Sequence, residues 1–453
     1  MDCRAALAMM DSICLVHSNP LTQKTPSHHI PYNSALPYPS SPMPFQKNLP
    51  TGIGRREFIL LIASMMAISA LAVDTMLPAF GAMSANFGLT GENANHIQWV
   101  IYAFMMGFSF AQLCYGAMAD YWGRKPIVLL GVVIFSLATL GAALAPNFTV
   151  LLIMRILQGV GMAAMRVLSA TIVRDTFSGA DMSRVMSMIM MVFILVPVFA
   201  PTLGQVLLWW FSWHSIFWVL LLFGLALSAW FMRRMPETLK PEFRRPISVH
   251  SLLDSLRQCV RSRTTLGYST ATGLMYGVLM TYLGSSEQIF QRDVYGLNER
   301  FALMFGAIAL FMGVAAFVNS HWVGRLGIRR MAHTALVSFV AISGLLVLLS
   351  VLFSGKPPLW VFAPLLAGCL FCFSLMMPNF NAISMEPLRA IAGSASSWLG
   401  FYTSFMGAMI GSLIGQMFDG TVLPLAIGYF VTGLWVLWIV VRTEGRLLLL
   451  GRV

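Results

Sequence analysis

Charged and polar side chains inside apolar runs are the places where this chain could do chemistry. The decapeptide Gly116-Ala117-Met118-Ala119-Asp120-Tyr121-Trp122-Gly123-Arg124-Lys125 crowds a carboxylate, two glycines and two adjacent cations between two long apolar stretches. Asp120 can face a helix N-terminus or pair with a cation, and Gly116 lets a neighbouring backbone come close. Such a loop either latches helices at a water interface or only holds topology through its cations. Asp74, in Val73-Asp74-Thr75-Met76-Leu77-Pro78, falls about 24 Å along the first apolar run at 1.5 Å per residue. Pro78 removes the backbone bond that would reach residue 74. Asp74 reads either as a proton-titrating carboxylate or as an interfacial, cap-like Asp at a helix end. Arg155 lies within a fourth apolar run, where a cation is costly unless paired or hydrated. It is either functional or snorkels to headgroups. Gln158 follows one turn later, and Arg166, eleven residues on, shares nearly the same face. Arg166 fits a cavity lining, a proton relay, a headgroup contact or packing.

The elements that must hold these groups are membrane helices. Apolar residues make up 58% and charged ones 10% of the 453 residues, against roughly 45–50% and about 25% in ordinary globular chains. The apolar residues come in runs of about 20, enough to cross a bilayer core. Twelve spans are predicted near 58–80, 96–119, 126–146, 149–172, 183–209, 213–235, 266–288, 300–322, 332–354, 359–380, 392–418 and 421–442. With these spans, 24 of the 29 Lys and Arg residues fall on the N-terminal side, and only Arg292, Arg300 and Lys356 on the opposite side. By the positive-inside rule both termini are expected in the cytoplasm. This accounts for the net charge of +12 without nucleic acid. No His-Glu-x-x-His, Gly-x-Ser-x-Gly or Walker loop occurs. His96, His214, His321 and His333 are scattered near span ends, and no metal site is expected. The six cysteines imply no disulfide framework, and Cys369 and Cys372 read as helix packing.

Residues 1–54 are Pro-rich and expected to be disordered; a mis-assigned start, with Met43 as the true one, is an alternative. Residues 55–235 and 265–445 then form two six-helix bundles. A cytoplasmic linker at 236–264 joins them, and 446–453 are a tail. The pattern from Ile247 to Val260 suits an amphipathic surface helix. Gly324-Arg325-Leu326-Gly327-Ile328-Arg329-Arg330, between spans eight and nine, echoes the first loop without its carboxylate. A duplicated six-helix chain points to a transporter with its site between the halves.

With these features the chain resembles the major facilitator superfamily, and more narrowly its drug:proton antiporters of the bicyclomycin and chloramphenicol resistance branch, over about residues 55–445. Gly116, Ala119, Asp120, Gly123, Arg124 and Lys125 match the family loop Gly-x-Leu-Ala-Asp-Arg-x-Gly-Arg-Lys, while Met118 and Tyr121 depart from it. The resemblance implies that Gly116, Asp120, Gly123, Arg124 and Lys125 latch the halves, with the missing Arg at 121 weakening the latch. The Arg, Gln and Gly-x-Gly pattern matches Arg155, Gln158, Gly159 and Gly161, and implies proton coupling at Arg155. Asp74 matches an acidic residue before Leu-Pro tied to protons and substrate. The antiporter pattern of span five is matched at Pro201 and Gly204, with Ala200 a small substitute. Val196 and Gln205 replace its other glycines, and Pro197 adds a second kink site. That bend either seals against proton leak or is generic packing. Gly407, Gly411 and Gly415 form a close-packing stripe in span eleven. Tyr102, Gln158, Met162, Tyr276 and Asn379 are candidates for a substrate cavity, or ordinary packing.

The expectation is therefore an all-α membrane protein of the major facilitator fold, not an enzyme. It would be a multi-pass, monomeric inner-membrane exporter of lipophilic drugs that uses a proton gradient and no cofactor. The rivals are an exporter of sugars, nucleosides or amino acids with the same fold, a multispan enzyme and a receptor.

Overall fold

The computed structural model describes residues 53–244, 249–445 and Leu447; the Pro-rich tail, apart from residues 53 and 54, and most of the C-terminal tail lie outside these. Among the described residues there is helix and no strand. The chain runs α1 (Arg55–Asp74), α2 (Phe80–Phe87), α3 (Trp99–Trp122), α4 (Arg124–Ala143), α5 (Phe148–Thr176), α6 (Gly179–Trp210) and α7 (His214–Arg234). It continues as α8 (Val249–Arg261), α9 (Arg263–Ser286), α10 (Phe301–Leu326), α11 (Ile328–Leu352), α12 (Leu359–Met385), α13 (Ala392–Gln416) and α14 (Leu423–Glu444).

Local sequence explains most boundaries. The Asn147 side chain accepts a hydrogen bond from the Val150 amide at 2.9 Å and caps α5. Ser262 caps α9 through the Thr265 amide. Gly123 (φ +106°) turns the chain sharply from α3 into α4, a conformation that favours glycine. The amphipathic linker helix predicted over Ile247–Val260 is present from Val249 as α8; its first two residues, 247 and 248, lie outside the described ones. Here the Ser255 hydroxyl lies 2.7 Å from that of Ser394 on α13.

Span one differs from its sequence reading. The sequence puts Pro78 near the end of the span, but it lies inside a short helical turn, Leu77–Ala79, and the span resumes as α2. Proline lacks only the N–H that the start of a helix leaves unpaired anyway, so it starts a new turn. The span is Arg55–Phe87, 33 residues long. Asp74 is then the twentieth residue and interior, not terminal.

Among the described residues, eleven helical stretches are long and apolar enough to cross a membrane. The remaining long helix, α9, carries the Thr, Ser, Gly and Tyr residues of span seven, and most of it is buried among other helices. A helix enclosed by protein does not need an apolar outer surface. The other spans present Trp210, Leu222, Leu303 and Trp360 outward, an apolar surface suited to lipid and not to water.

α1–α7 pack mainly with one another, as do α9–α14; the two bundles meet through α3 against α13 and α9, and α6 against α10. The start of α1, the end of α14 and α8 lie on one side, here called the linker face. The loops after α2, α4, α9, α11 and α13 and the Phe211–Trp213 turn lie on the opposite, far face.

Candidate functional site

The far face is closed by amides that join the two bundles. Gln98 Nε2 donates to Gln288 Oε1 at 2.5 Å and to the Gly415 carbonyl at 3.0 Å. Tyr102 donates to the Gly411 carbonyl at 2.9 Å. Asn95 donates to the Phe418 carbonyl and accepts from Gln288. Gln291 donates to the Pro78 carbonyl at 3.2 Å. A Cβ on Gly415 would collide with Gln98 and Tyr102, so the predicted glycine stripe admits the seal. Nearer the linker face, Gln112 donates to Ser404 at 3.0 Å and Phe110 packs on Phe401 and Phe405.

Beneath the seal lies Asp74. It is 5% exposed and forms no hydrogen bond or ion pair among the described residues. Its carboxylate is within electrostatic reach of Tyr276 and Tyr282 on α9, in the other bundle. The backbone beside it is fixed by α6, since a Cβ on Gly204 would overlap the Thr75 carbonyl. The prolines before it, Pro197 and Pro201, read as kink sites in the sequence, yet α6 runs unbroken through both. What that region provides here is close approach to the break in span one.

Arg155 is fully buried, and its hydrogen bonds all lie inside the first bundle, with Nη2 left unpartnered among the described residues. Its Nε donates to the Val100 carbonyl at 2.8 Å. Its Nη1 donates to the Ala72 carbonyl at 3.1 Å and to Gln158 Oε1 at 2.8 Å. The guanidinium carbon lies 4.6 Å from the Phe104 ring centroid, and Gln158 donates to Thr139. Arg155 thus ties α5 to α1 and α3 with charge-assisted bonds, and it forms no ion pair with Asp74.

The loop residues also bond within their own bundle. Arg124 pairs with Asp120 at 2.5 Å and with Asp175, at the end of α5, at 2.9 Å. Glu237 accepts from the Arg124 and Lys125 amides at 2.9 and 3.0 Å, capping α4 where the helix dipole favours an anion. A Cβ on Gly123 would strike that carboxylate. Lys125 donates to the Met232 carbonyl. Gly116 alone among these faces the other bundle, where a Cβ would stand 2.9 Å from Ser397 Oγ. The second bundle repeats the cluster with carboxylates from different places in the chain. Arg329 binds Glu386 at 2.8 Å and Glu444 at 2.9 Å, so the carboxylates absent from that loop come from the ends of α12 and α14.

The five residues read as a cavity scatter. Tyr102 belongs to the far-face seal, and Gln158 and Met162 are buried inside the first bundle. Asn379 donates to Asn319 at 2.6 Å inside the second. Tyr276 is half-buried between the bundles, within electrostatic reach of both Asp74 and Arg166. Sequence reasoning missed Glu237, signalled only by its place after the sixth span, and the seal amides, visible only as Asn and Gln at span ends. It also missed Glu287, 1% exposed, with a buried, unpartnered Oε2, in a π-helical segment at Glu287–Asp293.

The sequence profile described as Major Facilitator Superfamily matches residues 62–412. The chain belongs to the major facilitator superfamily. A bicyclomycin resistance protein homolog of Haemophilus influenzae is 31% identical over 375 residues, 81% of this chain and 91% of that one, which places the chain in that branch. The multidrug resistance protein MdtL of Escherichia coli is 27% identical over 350 residues, covering 76% of this chain and 84% of its own. A D-xylose-proton symporter crystal structure, 12% identical, shares the fold with a TM-score of 0.67 over 86% of this chain and 99% of its own. By family and fold the protein is a multi-pass membrane transporter.

Proposed function

We propose that this major facilitator protein exports lipophilic small molecules across the bacterial inner membrane in exchange for protons, with the linker face and both termini in the cytoplasm. The observation that carries the reading is Asp74, an interior carboxylate without a partner among the described residues, at the break of span one, beside the close approach of α6 at Gly204. A carboxylate there is costly as a bare ion, and binding a proton or a substrate removes that cost. The names of the bicyclomycin resistance and multidrug resistance relatives support drugs as cargo. The basic bias of the linker-face loops supports the orientation.

In the proposed cycle, substrate enters from the linker face and displaces the Asp74 proton. The far-face amides then part, substrate leaves, a proton binds and the halves return. One charge crossing 100 mV is worth about 2.3 kcal/mol, enough for a roughly fortyfold gradient of a neutral drug. Everted vesicles given a panel of antibiotics test the reading through substrate-dependent collapse of the pH gradient. Asp74→Asn is expected to abolish gradient-driven export at unchanged expression; unchanged export would remove Asp74 from the role.

A further inference from the structure

We propose that Arg166, on α5 beside the Phe193 ring of α6, is a subsite for the acidic group of a lipophilic carboxylate, so that the cargo includes organic anions. The proposal rests on the export reading above and assigns a substrate class to it. Arg166 forms no hydrogen bond or ion pair among the described residues, and its Nη1 is buried without a partner. Its guanidinium carbon stands 5.0 Å from the Phe193 ring centroid of α6. Tyr276, on α9 of the second bundle, lies within its electrostatic reach and within that of Asp74. The side chain retains partial exposure.

Arg155, on the same helix, shows what a structural arginine looks like here: its Nη2 is likewise unpartnered, but its Nε and Nη1 are held by carbonyls of two neighbouring helices and a glutamine amide oxygen. Arg166 has none of these. A guanidinium offers five donors in a fixed fork, and leaving the buried Nη1 unpaired is costly. A carboxylate is the partner that fork fits best, through two parallel bonds. The Phe193 ring beside it offers an apolar face for the body of the molecule. No covalent bond changes: one proton moves onto Asp74 and off again. Exchange of one proton for one carboxylate moves two charges per cycle, where a neutral substrate moves one.

The test is equilibrium binding to the purified full-length protein, with nalidixic acid and its ethyl ester as a pair that differs in the acidic group. At mildly alkaline pH the wild type should prefer the acid. Arg166→Gln should lower the acid-to-ester affinity ratio about tenfold or more, as expected for lost hydrogen bonds to a charged group. Arg166→Lys should give an intermediate ratio, since it keeps the charge and loses the fork. A wild type that prefers the ester, or a ratio equal in all three proteins, overturns the proposal. Binding needs no gradient, so the affinity ratio decides the matter even if gradient-driven export fails. In sealed liposomes the acid should carry about twice the charge per molecule that the ester does, and equal charge would count against the proposal.

Discussion

Arg155 and Arg166 lie three turns apart on α5 and have opposite surroundings. The first is enclosed by carbonyls of α1 and α3 and by Gln158, all within its own bundle. The second has an aromatic face and no hydrogen-bonded acceptor among the described residues, and Tyr276 of the other bundle is within its electrostatic reach. A buried cation is therefore not evidence of transport chemistry by its type alone. One holds a bundle rigid; the other stands where the bundles must move relative to each other, and there a partner can come and go.

The largest break in this comparison should come from removing each cation. Arg155→Met leaves the Ala72 and Val100 carbonyls and the Gln158 amide oxygen without their donor. At about 1–3 kcal/mol per unsatisfied buried group, a marked fall in melting temperature in detergent is expected, with loss of transport. Arg166→Met removes an unpaired charge, so its melting temperature should hold or rise. Equal destabilisation by the two would erase the distinction.

Gly204→Val comes next. Its side chain would overlap the Thr75 carbonyl and push span one away from α6. Transport should fall to near background, with Gly204→Ala intermediate; wild-type rates in the valine variant would show that α1 can move freely there. Gln288→Ala removes bonds to Gln98 and Asn95, each worth about 1 kcal/mol. Spin labels on the far ends of α3 and α13 should report a severalfold gain in the separated population, and an unchanged distance distribution would deny the seal its role.

The smallest effects concern the two linker-face clusters. The Arg124 side chain is 7% exposed and that of Arg329 34%. Exposed ion pairs are worth about 0–1 kcal/mol and weaken with salt. Arg124→Ala should therefore lower stability more than Arg329→Ala, and only the latter loss should shrink at high salt, as read from melting curves.

Much of the fold was legible because a membrane helix announces itself locally. Runs of about 20 apolar residues gave the spans, and Gly123 with Arg124 and Lys125 marked a tight turn with its charges. The error in span one was also local in origin. Pro78 looks like a stop, but only the neighbouring helices determine that the chain resumes its course as α2. The site was less legible. Asp74 and Arg155 stood out as charges in greasy surroundings, yet their partners, or lack of them, lie on other helices. Among the cavity candidates, only Tyr276 had neighbours across the bundles that include both unpaired charges.

By itself, the sequence determined an all-helical membrane chain, its family and the residues whose burial would be costly, since hydropathy, charge and short motifs are properties of nearby residues. The tertiary structure alone decided that Arg155 binds backbone carbonyls, that Glu237 caps α4, that amides close the far face and that Asp74 and Arg166 are left unpaired. Those outcomes depend on groups far apart in sequence meeting in a low-dielectric interior, where a few ångströms separate a satisfied charge from an available one.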